Sequence, residues 1–116
     1  MLRVLVVDDE PLVARSLERL LAARGFDVCT CDSGAAALGL LEAAPADVMV
    51  SDLNMPAMSG LELLAEARRR WPTMRRVLVS ALAGTVTPEE LAPCSPCAVL
   101  EKPFTAAMLL ASLGAA

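Results

Sequence analysis

Histidine is absent from this 116-residue chain. That excludes imidazole acid–base catalysis and any phosphohistidine formed within the polypeptide. Lysine occurs once, at Lys102. No apolar run approaches the roughly 18 residues that a membrane span requires. No basic stretch precedes the hydrophobic N-terminus, so neither an anchor nor a signal peptide is expected and a cytoplasmic protein is. Linkers, low-complexity tracts and internal repeats are missing too. The length is that of one domain, residues 1–116, able to bury a real core. The net charge of −4 argues against direct nucleic-acid binding.

What is present is mostly apolar: 56% of the chain, with Leu and Ala dominant. Short apolar runs alternate with helical stretches, the pattern of βα repeats on a parallel sheet. Strand one is read at Arg3 to Val7, strand two at Phe26 to Thr30 or Cys31, strand three at Val48 to Ser51, strand four at Val77 to Ser80 and strand five at Ala98 to Leu100. Pro11 opens the first helix, whose apolar stripe is Val13, Leu17, Leu20 and Leu21, and Gly25 ends it. Ser33 or Asp32 caps a second helix running to about Ala43. Ser59 caps a third with Leu61, Leu64 and Ala65 on its apolar face, Glu66 and Arg70 at the supportive i,i+4 spacing, and Trp71-Pro72 at its end. A fourth helix begins at Thr87-Pro88 but is cut short by Pro93, and a fifth runs from about Thr105 to Leu113. Arg68, Arg69, Arg70, Arg75 and Arg76 are read as a solvated helix end favoured by the helix dipole, which could also receive an acidic partner.

Five strands alternating with five helices predict an α/β, doubly wound parallel sheet whose C-terminal strand ends share one crevice. The residues at those ends are Asp8 and Asp9, Asp52, Ser80 and, just past strand five, Lys102. Three carboxylates a few ångströms apart repel one another, and at least one would protonate unless a cation intervened. Mg²⁺ suits an all-oxygen site that leaves room for water and phosphate, and Mn²⁺ could replace it. Lys102 can neutralise a phosphoryl oxygen as a mobile point charge, and Ser80 can donate a hydrogen bond to another. Asp52 closes a buried strand just before the loop Leu53-Asn54-Met55-Pro56, and it is read as the reactive carboxylate.

These residues, together with Gly60 eight positions after Asp52, Ser80-Ala81 and Lys102-Pro103-Phe104, resemble the receiver domain of two-component response regulators, of the chemotaxis-regulator type. The likeness runs through essentially the whole chain in order and spacing. It implies the flavodoxin-like receiver fold, (βα)5 with strand order 2-1-3-4-5. It also implies that Asp52 takes a phosphoryl group from a sensor histidine kinase, a phosphotransfer protein or a small phosphodonor. Mg²⁺ would be bound by Asp9, Asp52 and the main-chain carbonyl of Asn54, with Asp8 reached through water. Ser80 would swing toward the phosphoryl group, Lys102 would pair with it, and the Lys102–Pro103 peptide would be cis. Such a domain is not a conventional enzyme, since it catalyses only its own phosphorylation and dephosphorylation. It signals to a separate effector, as a monomer or a phosphorylation-dependent homodimer.

Two positions depart from the family pattern. The residue three before the lysine, usually aromatic, is Val99, so a rotating ring cannot couple Ser80 to an output face. The curtailed fourth helix alters the α4-β5-α5 face on which many relatives dimerise or dock targets. By analogy, Asn54 and Leu82 lie over the path of attacking water, and apolar Leu82 cannot orient it.

Cys94-Ser95-Pro96-Cys97 has the spacing of a redox pair or half a zinc site. In the expected strand order, however, Cys29 and Cys31 lie on the opposite edge strand. Four interstrand steps of about 4.8 Å separate them by roughly 19 Å, far beyond a Zn–S bond of about 2.3 Å. Cys29 and Cys31 are therefore read as small hydrophobes sharing one strand face. Two other functions compete with the phosphorylated switch. One is a constitutive interaction module that keeps the fold and is read without phosphorylation. The other is a Mg²⁺-dependent phosphatase, disfavoured because Asn54 stands where such enzymes carry a second acid.

Overall fold

Alternation along the strands decides which layer each side chain joins. The computed structural model describes residues 2–81, 86–96 and 98–114; Leu82 and Cys97 lie outside them. The elements follow in strict alternation: β1 (Arg3–Val7), α1 (Pro11–Ala23), β2 (Asp27–Cys31), α2 (Gly34–Ala43), β3 (Val48–Asp52), α3 (Gly60–Arg70), β4 (Arg75–Ser80), α4 (Pro88–Leu91), β5 (Ala98–Glu101) and α5 (Ala106–Ser112). All strand pairs are parallel, and the sheet order is β2-β1-β3-β4-β5. This is the doubly wound fold expected from the sequence.

Successive residues of a strand face opposite sides, so the sheet feeds two cores. Val4, Val6, Val48, Val50, Val77, Val79 and Leu100 meet Leu17 and Leu21 of α1 and Leu109 and Leu113 at the α5 end. The alternate residues Leu5, Val7, Met49 and Leu78 meet Ala37 and Leu41 of α2 and Leu63, Leu64 and Ala67 of α3. Burial on both faces explains the nearly unbroken β-branched runs of the strands.

Caps set the helix starts. Ser33 Oγ accepts the Ala36 amide at 3.1 Å, and Ser59 and Glu62 form a reciprocal capping box. Thr87 and Glu90 form another at the head of α4. That helix then stops after Leu91, two residues before Pro93, so the fourth helix is a single turn.

Several boundaries differ from the sequence reading, each for a physical reason. β4 starts two residues early, because Arg75 and Arg76 pair in register with Val48 and Met49. The basic run is thereby split. Arg68, Arg69 and Arg70 do end α3, but Arg76 is buried at 6% exposure and Arg75 Nε donates to the Ser112 carbonyl at 2.6 Å. On α3 the buried face is Gly60, Leu63, Leu64 and Ala67, while Leu61 and Ala65 only flank the core. The two stripes share Leu64, and periodicity alone could not choose between neighbours one residue apart. The Arg70–Glu66 ion pair forms at 3.2 Å, with Arg70 also reaching Glu42 at 2.8 Å.

The short α4 leaves a trace on β5. Leu100 is buried, whereas Val99 is 37% exposed and Glu101 is also exposed. Cys29 and Cys31 pack against the α2/α3 core, as expected of small hydrophobes. Burial pushes the Cys31 thiol up to about 11, which keeps it protonated and unreactive at neutral pH.

The α3 assignment predicts that Leu63→Ala costs about 2–5 kcal/mol of stability in urea unfolding. Leu61→Ala, at the flank, should cost less than about 1.5 kcal/mol. Equal losses would reject this helix orientation.

Candidate functional site

Parallel register brings the ends of β1 and β3 together, since Val7 pairs with both Cys31 and Ser51. The residues that follow at those ends, Asp8 and Asp52, therefore face one another. The Asp8 amide donates to the Cys31 carbonyl at 3.1 Å, and the Glu10 amide donates to Asp8 Oδ1 at 2.9 Å. Glu10 thus contributes its backbone to the site, and its carboxylate is not in the cluster. Carboxylate oxygens of Asp8, Asp9 and Asp52 all lie within 4.8 Å of one another. Asp8 and Asp52 are buried, at 3% and 8% exposure, and Asp9 is half-buried.

Lys102 completes the group from β5. Its amide donates to the Ser80 carbonyl at 2.8 Å, continuing the β4–β5 ladder one residue past the strand. Its Nζ then reaches Asp52 Oδ1 at 3.3 Å and Asp8 Oδ2 at 3.8 Å. The Lys102–Pro103 peptide is cis. Ser80 is fully buried at the end of β4. Asn54 is exposed on the loop two residues after Asp52.

Two supports of Asp52 are invisible to a motif search. Ser51 Oγ, fully buried, donates to the Asp52 carbonyl at 3.0 Å. Gly60 approaches that carbonyl so closely that a Cβ on it would lie 2.3 Å from the Asp52 oxygen, while its amide donates to the Leu53 carbonyl at 2.8 Å. Gly60 appeared in the sequence as a spacing signal. Its physical task is to let the start of α3 close against the strand end.

The electrostatics are those of a site short of positive charge. Burial is the main cause that raises the Asp8 pKa; the Glu10 amide opposes it, the Asp52 charge adds to it, Lys102 lowers it and Asp9 raises it. One ammonium faces three carboxylates. A hard divalent cation fits this oxygen-only donor set, because it would offset the remaining repulsion without requiring protonation.

A five-stranded parallel sheet carrying an acid cluster and a lysine at its C-terminal edge is the architecture of a class of signalling domains. Residues 4–114 match the response regulator receiver domain, and the chain belongs to that family. It is 36% identical over 113 residues, 97% of its length, to the transcriptional regulatory protein KdpE of Mycobacterium tuberculosis, of which it covers 50%. It is 34% identical to the regulatory protein AtoC of Escherichia coli over 88% of its own length, covering 22% of that protein. The chain thus spans half or less of these relatives. Among solved structures, the chemotaxis protein CheY4 of Vibrio cholerae superposes with a TM-score of 0.88 at 29% identity, covering 98% of this chain and 97% of that one. The response regulator TrrA of Thermotoga maritima, in complex with Mg(2+)-BeF, gives a TM-score of 0.88 at 28% identity over 98% and 97% of the two chains. Receiver domains are phosphorelay switches rather than conventional enzymes. They bind Mg²⁺ at an acidic pocket and interact with histidine kinases and output domains. Among the described residues, no helix is long and apolar enough to cross a membrane.

The raised Asp8 pKa has a sign that can be tested. The folded chain holds this proton more tightly than the unfolded one, so stability from this group falls as pH rises from its ordinary 3.8 through the folded value. In metal-free protein at pH 7, Asp8→Asn should raise the urea midpoint, and the gain should vanish in acid below that ordinary value. Gly60→Ala should cost about 1–3 kcal/mol through the backbone clash, measured the same way.

Proposed function

We propose that this domain, residues 1–116, is a Mg²⁺-dependent phosphoacceptor switch, phosphorylated on Asp52 by a partner histidine kinase or phosphotransfer protein and read by a separate effector in the cytoplasm. The observation that carries the reading is the buried Asp52 carboxylate with the Lys102 ammonium 3.3 Å away and two further carboxylates beside it. An Asp52 oxygen attacks the phosphorus of phosphohistidine or of a small acyl phosphate. The new O–P bond forms as the N–P or O–P bond to the donor breaks, and the departing group keeps the electron pair.

Positioning and charge neutralisation supply the catalysis. Lys102 Nζ, already on Asp52, moves with little displacement to a phosphoryl oxygen. Ser80, at the neighbouring strand end, supplies a hydroxyl to a second oxygen. Asp8, Asp9, Asp52 and the Asn54 main-chain carbonyl would hold Mg²⁺, or Mn²⁺ in its place. When bound, the ion offsets the carboxylate repulsion and takes up charge from the phosphoryl group. The complex named for TrrA, with Mg(2+)-BeF, supports the same chemistry at the matching site of this chain. KdpE and AtoC, named as regulatory proteins, support an output separate from this domain.

Val99 bears on the readout. An exposed valine on β5 has no ring to turn inward, so the response to phosphorylation has to travel by backbone and packing rather than by an aromatic rotamer. A receiver read without phosphorylation is the competing account, and phosphoryl uptake separates the two.

Labelled acetyl phosphate with Mg²⁺ should phosphorylate the wild type, and EDTA should abolish the reaction. Asp52→Asn should incorporate no label, and Lys102→Ala should slow incorporation about a hundredfold, the cost of removing one charge-stabilising donor. Label retained on Asp52→Asn would overturn the assignment, and no labelling of the wild type by any donor would favour the unphosphorylated module. Amide spectra are the better companion probe. Trp71 caps the C-terminal end of the 11-residue α3, roughly 16 Å from the site end of that helix.

A further inference from the structure

Two arginines hold four consecutive carbonyls. Arg68, in the last turn of α3, places Nη1 at 3.2 Å from the Ala92 oxygen and 3.3 Å from the Pro93 oxygen. Arg76, on β4, donates from Nε to Cys94 at 3.2 Å, from Nη2 to Ser95 at 3.2 Å and from Nη1 to Met74 at 2.9 Å. The whole stretch from 92 to 95, between the end of α4 and β5, therefore has its carbonyls turned onto guanidinium groups.

Arg76 is the stronger anchor. It is buried, and no ion pair involves it among the described residues. Carbonyl dipoles stand in for a carboxylate there, and withdrawing them would leave a buried cation uncompensated. The segment is tied from within as well. The Cys94 and Ser95 amides both donate to the Leu91 carbonyl, at 3.1 and 2.8 Å, and the Cys94 side chain is buried in the α2/α3 core. The far end of α4 is closed by the Thr87–Glu90 capping box.

We infer that Arg68 and Arg76 clamp α4 and residues 92–95 into a fixed strut, so that phosphorylation changes the sheet edge around Asp52, Ser80 and Lys102 without moving α4. This rests on the phosphoacceptor reading for its trigger, while the clamp itself does not. The geometry makes α4 a poor lever: it has one turn, the chain leaving its C-terminal end is held by both arginines, and a swing that carried that stretch along would break charge-assisted hydrogen bonds to a buried group. Arg76 and Ser80 lie on the same face of β4, four residues and about 13 Å apart. Strut and switch residue thus share one rigid strand.

Hydrogen exchange tests this, because Cys94 and Ser95 are flanked by Pro93 and Pro96, which have no amide hydrogen, and report as an isolated pair. In the full wild-type chain with Mg²⁺ and beryllofluoride, amides around Asp8, Asp52 and Lys102 should shift. Cys94 and Ser95 protection should change less than about twofold. Without the mimic, Arg76→Gln and Arg68→Gln should each raise Cys94 and Ser95 exchange about tenfold or more. Arg68 lies on the surface, so its variant keeps the test open if Arg76→Gln fails to fold. A tenfold change at Cys94 and Ser95 in the wild type on adding the mimic overturns the proposal, as does unaltered exchange in the variants. Site amides that ignore the mimic would count against the phosphoacceptor reading, and the variants' exchange would still decide the clamp.

Discussion

Three carboxylates crowded at one sheet edge set the terms for this protein. Asp8 and Asp52 are buried beside half-buried Asp9, and like charges so placed disfavour ionisation. The chain supplies one ammonium, Lys102, between Asp8 and Asp52. That leaves a deficit of positive charge which a hard cation suits. Much of the nearby architecture serves to hold this unfavourable arrangement: the Glu10 amide on Asp8, the Ser51 hydroxyl on the Asp52 carbonyl, and Gly60 admitting α3 to the strand end.

Away from the site the positive charges follow another logic. Arg69 and Arg70 meet Glu66 and Glu42 across exposed helix surfaces, pairs of small energetic weight. Arg68 and Arg76 meet no carboxylate among the described residues and turn to backbone carbonyls. For Arg76 the reason is burial, since a buried guanidinium must be surrounded by acceptors. Arg68 stays on the surface and reaches the two neighbouring carbonyls from the last turn of α3. The carbonyls just after a truncated helix are orphaned by that truncation. In this chain the short α4 and the two arginines therefore explain one another.

The same truncation uncovers one face of β5. Val99 and Glu101 face the side that α4 is too short to cover, while Leu100 remains in the α1/α5 core. A receiver in this form keeps its chemistry at one end of the sheet and remodels the surface alongside it. The two can diverge because the strand ends that build the site depend on sheet register, not on the length of α4.

The sequence alone determined the class of fold, the element order and the carriers of charge at the strand ends, because alternation, caps and prolines act locally and over short windows. The truncated fourth helix was legible for the same reason: Pro93 lacks an amide hydrogen. Only tertiary structure decided the register that gathers Asp8, Asp52 and Lys102, and the choice of Leu63 over Leu61 as the buried face of α3. It alone split the arginine run into a solvated helix end and a buried anchor. Those outcomes depend on which strand lies beside which, and on whether a carbonyl from eighteen residues away arrives to satisfy a cation. No local pattern encodes that.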